Sequence, residues 1–76
     1  MPPLPLVSAR IAVRVFAKFG WYVARRESSH IVLRREGYWA SLSVPEHGKV
    51  ARGTLRTLIR TAGLTVQEFV DALERL

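Results

Sequence analysis

With 76 residues, 49% of them apolar, the chain can fold around one small core but has no room for a second domain or a deep cavity. The apolar share argues against a disordered chain, and twelve Lys and Arg against six Asp and Glu give a formal charge of +6, a positive field suited to polyanions. The lack of cysteine excludes disulfides and thiolate metal sites, two histidines without a carboxylate cluster predict no metal or cofactor, and no apolar run approaches membrane-spanning length.

The first residues, Met1-Pro2-Pro3-Leu4-Pro5-Leu6, lack the basic start and long apolar stretch of a secretory leader, so a cytoplasmic protein is expected. Their prolines predict an extended segment over residues 1–7. Ser8 then suits the N-cap of a helix reaching about Phe19, with Ile11, Ala12, Val15, Phe16 and Phe19 on its apolar face. Arg10, Arg14 and Lys18 recur every fourth residue on another face, and Gly20 is placed to stop the helix.

Trp21 to Arg26 has the aromatic and β-branched content of a strand, running into a basic turn, Arg25-Arg26-Glu27-Ser28-Ser29. A second strand is predicted from His30 to Arg35, a turn at Glu36-Gly37, and a third strand from Tyr38 to Val44, forming an antiparallel meander. Alternation sends Ile31 and Leu33 one way, matched by Ala40, Leu42 and Val44. It leaves His30, Val32 and Arg34 on the other face with Trp39, Ser41 and Ser43, a mixed and polar set that suits solvent.

Pro45 closes the sheet, and Glu46-His47-Gly48-Lys49 is expected as a loop. A helix follows from about Gly53 to Ala62, packing through Leu55, Leu58, Ile59 and Ala62, with Arg52, Arg56 and Arg60 as a second basic stripe. Gly63 ends it, and Thr65-Val66-Gln67-Glu68 is a capping box for a last helix that packs through Val66, Phe69, Val70 and Leu73. The fold class is therefore α+β: helix, three-stranded antiparallel sheet, helix and a short C-terminal helix, in one domain over residues 1–76.

Eleven of the twelve cations lie between Arg10 and Arg60, whereas Glu68, Asp71 and Glu74 gather near the end. That positive body suits a phosphate backbone, and arginine's planar fork suits both phosphate and bases. Solubility, or an acidic protein partner, is the plainer use of the same charge. His30, at the head of a strand and among arginines, adds a proton-transfer group. By its residues alone, a solvated histidine at a strand start is the favoured reading.

Four segments carry a resemblance: Phe19-Gly20-Trp21, Ser28-Ser29-His30, Val44-Pro45-Glu46-His47, and Gly53-Thr54-Leu55-Arg56 through Ala62-Gly63-Leu64-Thr65 to Glu68-Phe69. In this order they resemble the HicA toxin family of bacterial toxin–antitoxin modules, messenger-RNA interferases with a fold similar to double-stranded-RNA-binding domains. The resemblance implies that His30 is the catalytic histidine of a metal-independent endoribonuclease, and that a HicB-like antitoxin binds the protein and covers its active site. The protein would be a monomer alone or part of a hetero-oligomer with that antitoxin. Family members usually carry glycine where Ser28 stands, and serine at a position of positive φ would alter the turn that aims His30.

On this reading Ser29 helps place the phosphate, Arg26, Arg34 and Lys49 neutralise it, and Trp39 stacks a base. Arg52 and Arg56 bind RNA at the start of their helix, where the helix dipole favours phosphate. His47 is expected to be a polar turn residue rather than a complementary acid, and Trp21 and Phe16 to be core. The alternatives are a non-catalytic RNA-binding module of the same fold, or a basic surface that docks an acidic protein.

Overall fold

The computed structural model describes residues 3–76, so the extended conformation expected of Met1 and Pro2 lies outside the described residues. The order is β1 (Val7–Ser8), α1 (Ala9–Ala17), β2 (Trp21–Glu27), β3 (His30–Arg35), β4 (Leu42–Pro45), β5 (Lys49–Val50), α2 (Arg52–Thr61) and α3 (Val66–Glu74). The fold is α+β, with β2-β3-β4 forming the expected antiparallel meander. One face of that sheet, through Ile31, Leu33, Leu42 and Val44, joins residues of all three helices in a single core. Its largest wholly buried side chains are Trp21, Phe16 and Phe69, and Phe16 meets Phe69 at a ring separation of 5.3 Å.

Local chemistry sets the helix ends. The Ser8 hydroxyl accepts the Ile11 N–H at 3.2 Å and opens α1. The helix stops at Ala17, short of Phe19, because Lys18, Phe19 and Gly20 donate to carbonyls three residues back and tighten the chain. Gly20, at φ +94°, then turns it into β2. The capping box of α3 is complete: the Glu68 N–H donates to the Thr65 hydroxyl at 3.1 Å, and the Thr65 N–H donates to the Glu68 carboxylate at 2.8 Å. Gly63 is fixed both by φ +78° and by space, since a Cβ there would lie 2.8 Å from the Tyr38 hydroxyl oxygen.

Three expectations are corrected. The third strand starts at Leu42, not Tyr38. Tyr38 instead turns its ring edge-on to buried Trp21 at 5.3 Å, with the Arg35 guanidinium 5.5 Å from its centre. That aromatic packing outweighs the β propensity of the Tyr38-Trp39 pair. Val32, assigned to a solvent face, is buried although it alternates with core residues Ile31 and Leu33. The loop before α2 contains β5, which pairs antiparallel with β1, Val7 opposite Val50 and Ser8 opposite Lys49.

The β1–β5 pairing makes the N-terminal segment part of the core. Leu4 is 1% exposed, and its carbonyl accepts the Arg52 Nε–H at 2.7 Å. None of the helices is long and apolar enough to cross a membrane.

Leu4→Ala should therefore lower unfolding free energy by about 2–5 kcal/mol, the usual cost of emptying a leucine site in a core. Leu6→Ala, at a side chain 47% exposed, should change it by about 0.5 kcal/mol or less. Urea unfolding of the two variants measures the contrast.

Candidate active site

The β2–β3 hairpin turns through Ser28 and Ser29, with Glu27 paired to His30. Ser28 has φ +54° and, among the described residues, is the one non-glycine residue in the left-handed region. Positive φ at only the first of two central turn residues is the type II′ pattern, in which glycine is the preferred occupant. The Ser29 carbonyl accepts the Glu46 N–H at 2.7 Å, which ties the turn to the end of β4.

Residues opposite one another in an antiparallel ladder share a face. Glu27, His30 and Pro45 form one such row at the turn end of the sheet, followed on the same face by Arg25, Val32 and Ser43, then by Tyr22 and Arg34. Arg26, Ile31 and Val44 lie on the opposite, helix-covered face with Val23, Leu33 and Leu42. A register shift between Val23 and Arg25 leaves Ala24 as an extra residue in β2. Without it, strict alternation would place Trp21 on the same face as Glu27 and His30. The bulge resets the alternation, so Trp21 enters the core while Arg25 and Glu27 stay beside His30.

His30 is exposed at the first position of β3. Glu27, directly across the ladder, is ion-paired with Arg25, and both are more than half exposed. Neither residue was singled out by the sequence; the two-residue turn, once taken as a strict hairpin, would have revealed Glu27. Arg34 shares the face but lies four residues along the strand, about 13 Å at ~3.3 Å per residue, too far to act on a group held at His30. Ser29 is half-buried beside His30.

The other expected binding residues are dispersed. Arg26 points to the helix side, where its Nη1 pairs with the Glu46 carboxylate. Trp39 is 90% exposed but sits in the connection between β3 and β4, so strand alternation does not govern it. Lys49 is exposed on β5, Arg56 is exposed on α2, and Arg52 is engaged with the Leu4 carbonyl. His47 is exposed in the bend after Glu46. Among the described residues, no three His, Asp or Glu side chains gather where they could hold a metal ion.

A helix, a bulged hairpin with an exposed histidine at its turn, a third strand and a basic helix define a small basic α+β protein. Residues 9–64 match the family model described as the HicA toxin of bacterial toxin–antitoxin systems, and the chain belongs to that family. The matched span opens with α1 and closes just after α2, leaving the Leu4 segment and α3 outside it. No curated protein matches the chain.

If Ser28 carries a conformational penalty at φ +54°, Ser28→Gly should raise unfolding free energy by up to about 1 kcal/mol, and Ser28→Val should lower it by about 1–2 kcal/mol. Chemical denaturation reads both. Equal stabilities for the three proteins would show that the turn is unstrained.

Proposed function

We propose that this HicA-family toxin is an endoribonuclease that cuts messenger RNA in the cytoplasm, with His30 as its general acid–base group and a HicB-like antitoxin as its inhibitor. The observation that carries the reading is the exposed imidazole of His30 at the tethered end of the sheet, in a chain of this family with a charge of +6.

RNA contains its own nucleophile, so little machinery is needed. A base removes the proton of the ribose 2′-hydroxyl, whose oxygen attacks the adjacent phosphorus. The bond from phosphorus to the 5′-oxygen breaks, and that oxygen takes up a proton. The products are a 2′,3′-cyclic phosphate and a 5′-hydroxyl. Histidine can serve either proton transfer near neutral pH, and general acid–base catalysis supplies about 10²–10⁴ in rate.

Ser29 would position the phosphate, and Arg25, freed from Glu27 when RNA arrives, would stabilise the charge that builds on it. Exposed ion pairs such as Arg25–Glu27 contribute little to stability, so this exchange is easy. Glu27, opposite His30 in the ladder and released by Arg25, would be free to orient the imidazole. Arg34 and Trp39 would hold flanking nucleotides, the first by charge and the second by stacking. Lys49 and Arg56 would add phosphate contacts at the start of α2, while Arg52 would do so only in part because of its bond to Leu4.

Purified His30→Ala, incubated with RNA in chelator, should cleave at least about 10²-fold more slowly while keeping its RNA affinity. His47→Ala should match the parent. Undiminished cleavage by His30→Ala would remove His30 from the chemistry, and RNA binding without cleavage by the parent would make the protein a binding module.

A further inference from the structure

A second basic site lies on the other side of the sheet. A groove of about 430 Å³ runs between α1 and the edge strand β2. Arg10 and Arg14 of α1 and Arg26 of β2 line it together, against one carboxylate, Glu46. Val13 and Val23 contribute an apolar floor. We propose that this groove binds the phosphate backbone of the RNA strand flanking the cut, so that the substrate passes from His30 around the edge of β2 and lies along α1. The inference rests on the ribonuclease reading and adds a subsite to it.

Four observations favour an RNA strand here. The groove has three guanidinium groups to one carboxylate, an excess of positive charge available for phosphates. Arg10 and Arg14 are one helical repeat apart, about 6 Å along the axis at 1.5 Å per residue, a step similar to that between successive phosphates of one strand. The first turn of α1, which forms one end of the groove, holds no acidic residue to compete for an anion. Finally, the row containing Arg26 is next to the row containing His30, and β2 is an unpaired edge of its sheet, so a strand reaches from one face to the other over a single β-strand.

The Arg26–Glu46 pair sets the resting state of the groove. Both side chains are substantially exposed, so their mutual attraction is weak and a phosphate can take Arg26 from Glu46. Glu46 also donates its N–H to the Ser29 carbonyl, so the residue that yields Arg26 is the one that anchors the catalytic turn.

The test uses full-length His30→Ala protein, which binds without turnover, and measures fluorescence anisotropy with a single-stranded RNA of twenty nucleotides and with a trinucleotide. Adding Arg10→Gln and Arg14→Gln should weaken binding of the longer RNA about 10-fold and flatten its salt dependence by about 1.4, the loss expected for two single-strand phosphate contacts. Trinucleotide affinity should stay unchanged. Arg75→Gln, outside the groove, should leave the longer RNA's salt dependence unchanged, and Glu46→Gln should tighten its binding by releasing Arg26. Thermal unfolding and circular dichroism identical to the parent would establish that each variant is folded.

Unchanged affinity and salt dependence for the longer RNA in the double arginine variant would overturn the groove. Equal weakening of the trinucleotide would overturn it too, because the arginines would then act at the cut itself. Weaker binding in Glu46→Gln would contradict the role given to Arg26. No RNA cleavage by the parent protein would defeat the ribonuclease reading alone, and the binding measurements would still report on the groove.

Discussion

The register of the β2–β3 hairpin decides what each face of this small protein contains. A strand's side chains alternate, so a single extra residue exchanges the faces for everything beyond it. Ala24 is that residue. On its turn side, Glu27 and Arg25 stay level with His30 on the open face; on its far side, Trp21 enters the core and packs against Tyr38. One bulge thus reconciles a large buried anchor with a charged cluster on the same seven-residue strand. The turn beside it adopts positive φ at Ser28, and its Ser29 carbonyl is held by Glu46. Conformational cost of this kind tends to persist where the surroundings dictate the geometry, and functional sites are where it clusters.

Stability and charge are separated in space. Among the described residues, no polar or charged side chain is fully buried. The core is built on Phe16, Trp21 and Phe69 and completed by the N-terminal Leu4, and the Trp21 indole N–H is buried in it without a hydrogen-bond partner. The cations are therefore free to serve binding, except where structure already employs them, as with Arg52 at the Leu4 carbonyl. A basic surface of this kind attracts polyanions over distances near a Debye length and should be sensitive to salt.

Much of the fold was legible because its determinants are local. Ser8 as an N-cap, Thr65 and Glu68 as a capping box, Gly63 as a helix stop and the apolar stripes of the helices each depend on residues within a turn or two. The start of β3 at His30 was equally plain. What escaped was set by distant contacts. Tyr38 leaves the expected strand because Trp21 waits seventeen positions earlier. Lys49–Val50 is a strand only because Val7–Ser8 lies beside it. At the site, counting residues along the basic turn grouped Arg26 with His30, whereas pairing across the hairpin separates them and brings Glu27 opposite the imidazole. A bulge has no periodic signature of its own, so the faces of β2 could not be assigned from sequence alone.

The central claim is that His30 transfers protons while the RNA supplies the attacking oxygen. The most direct measurement is the mass of the fragment ends produced in chelator from one RNA, compared with the same RNA lacking the 2′-hydroxyl at the cut. The unmodified strand should yield a 2′,3′-cyclic phosphate and a 5′-hydroxyl, and the deoxy-substituted one should stay intact. Cleavage at the deoxy-substituted position, or a 5′-phosphate on the released fragment, would contradict the claim.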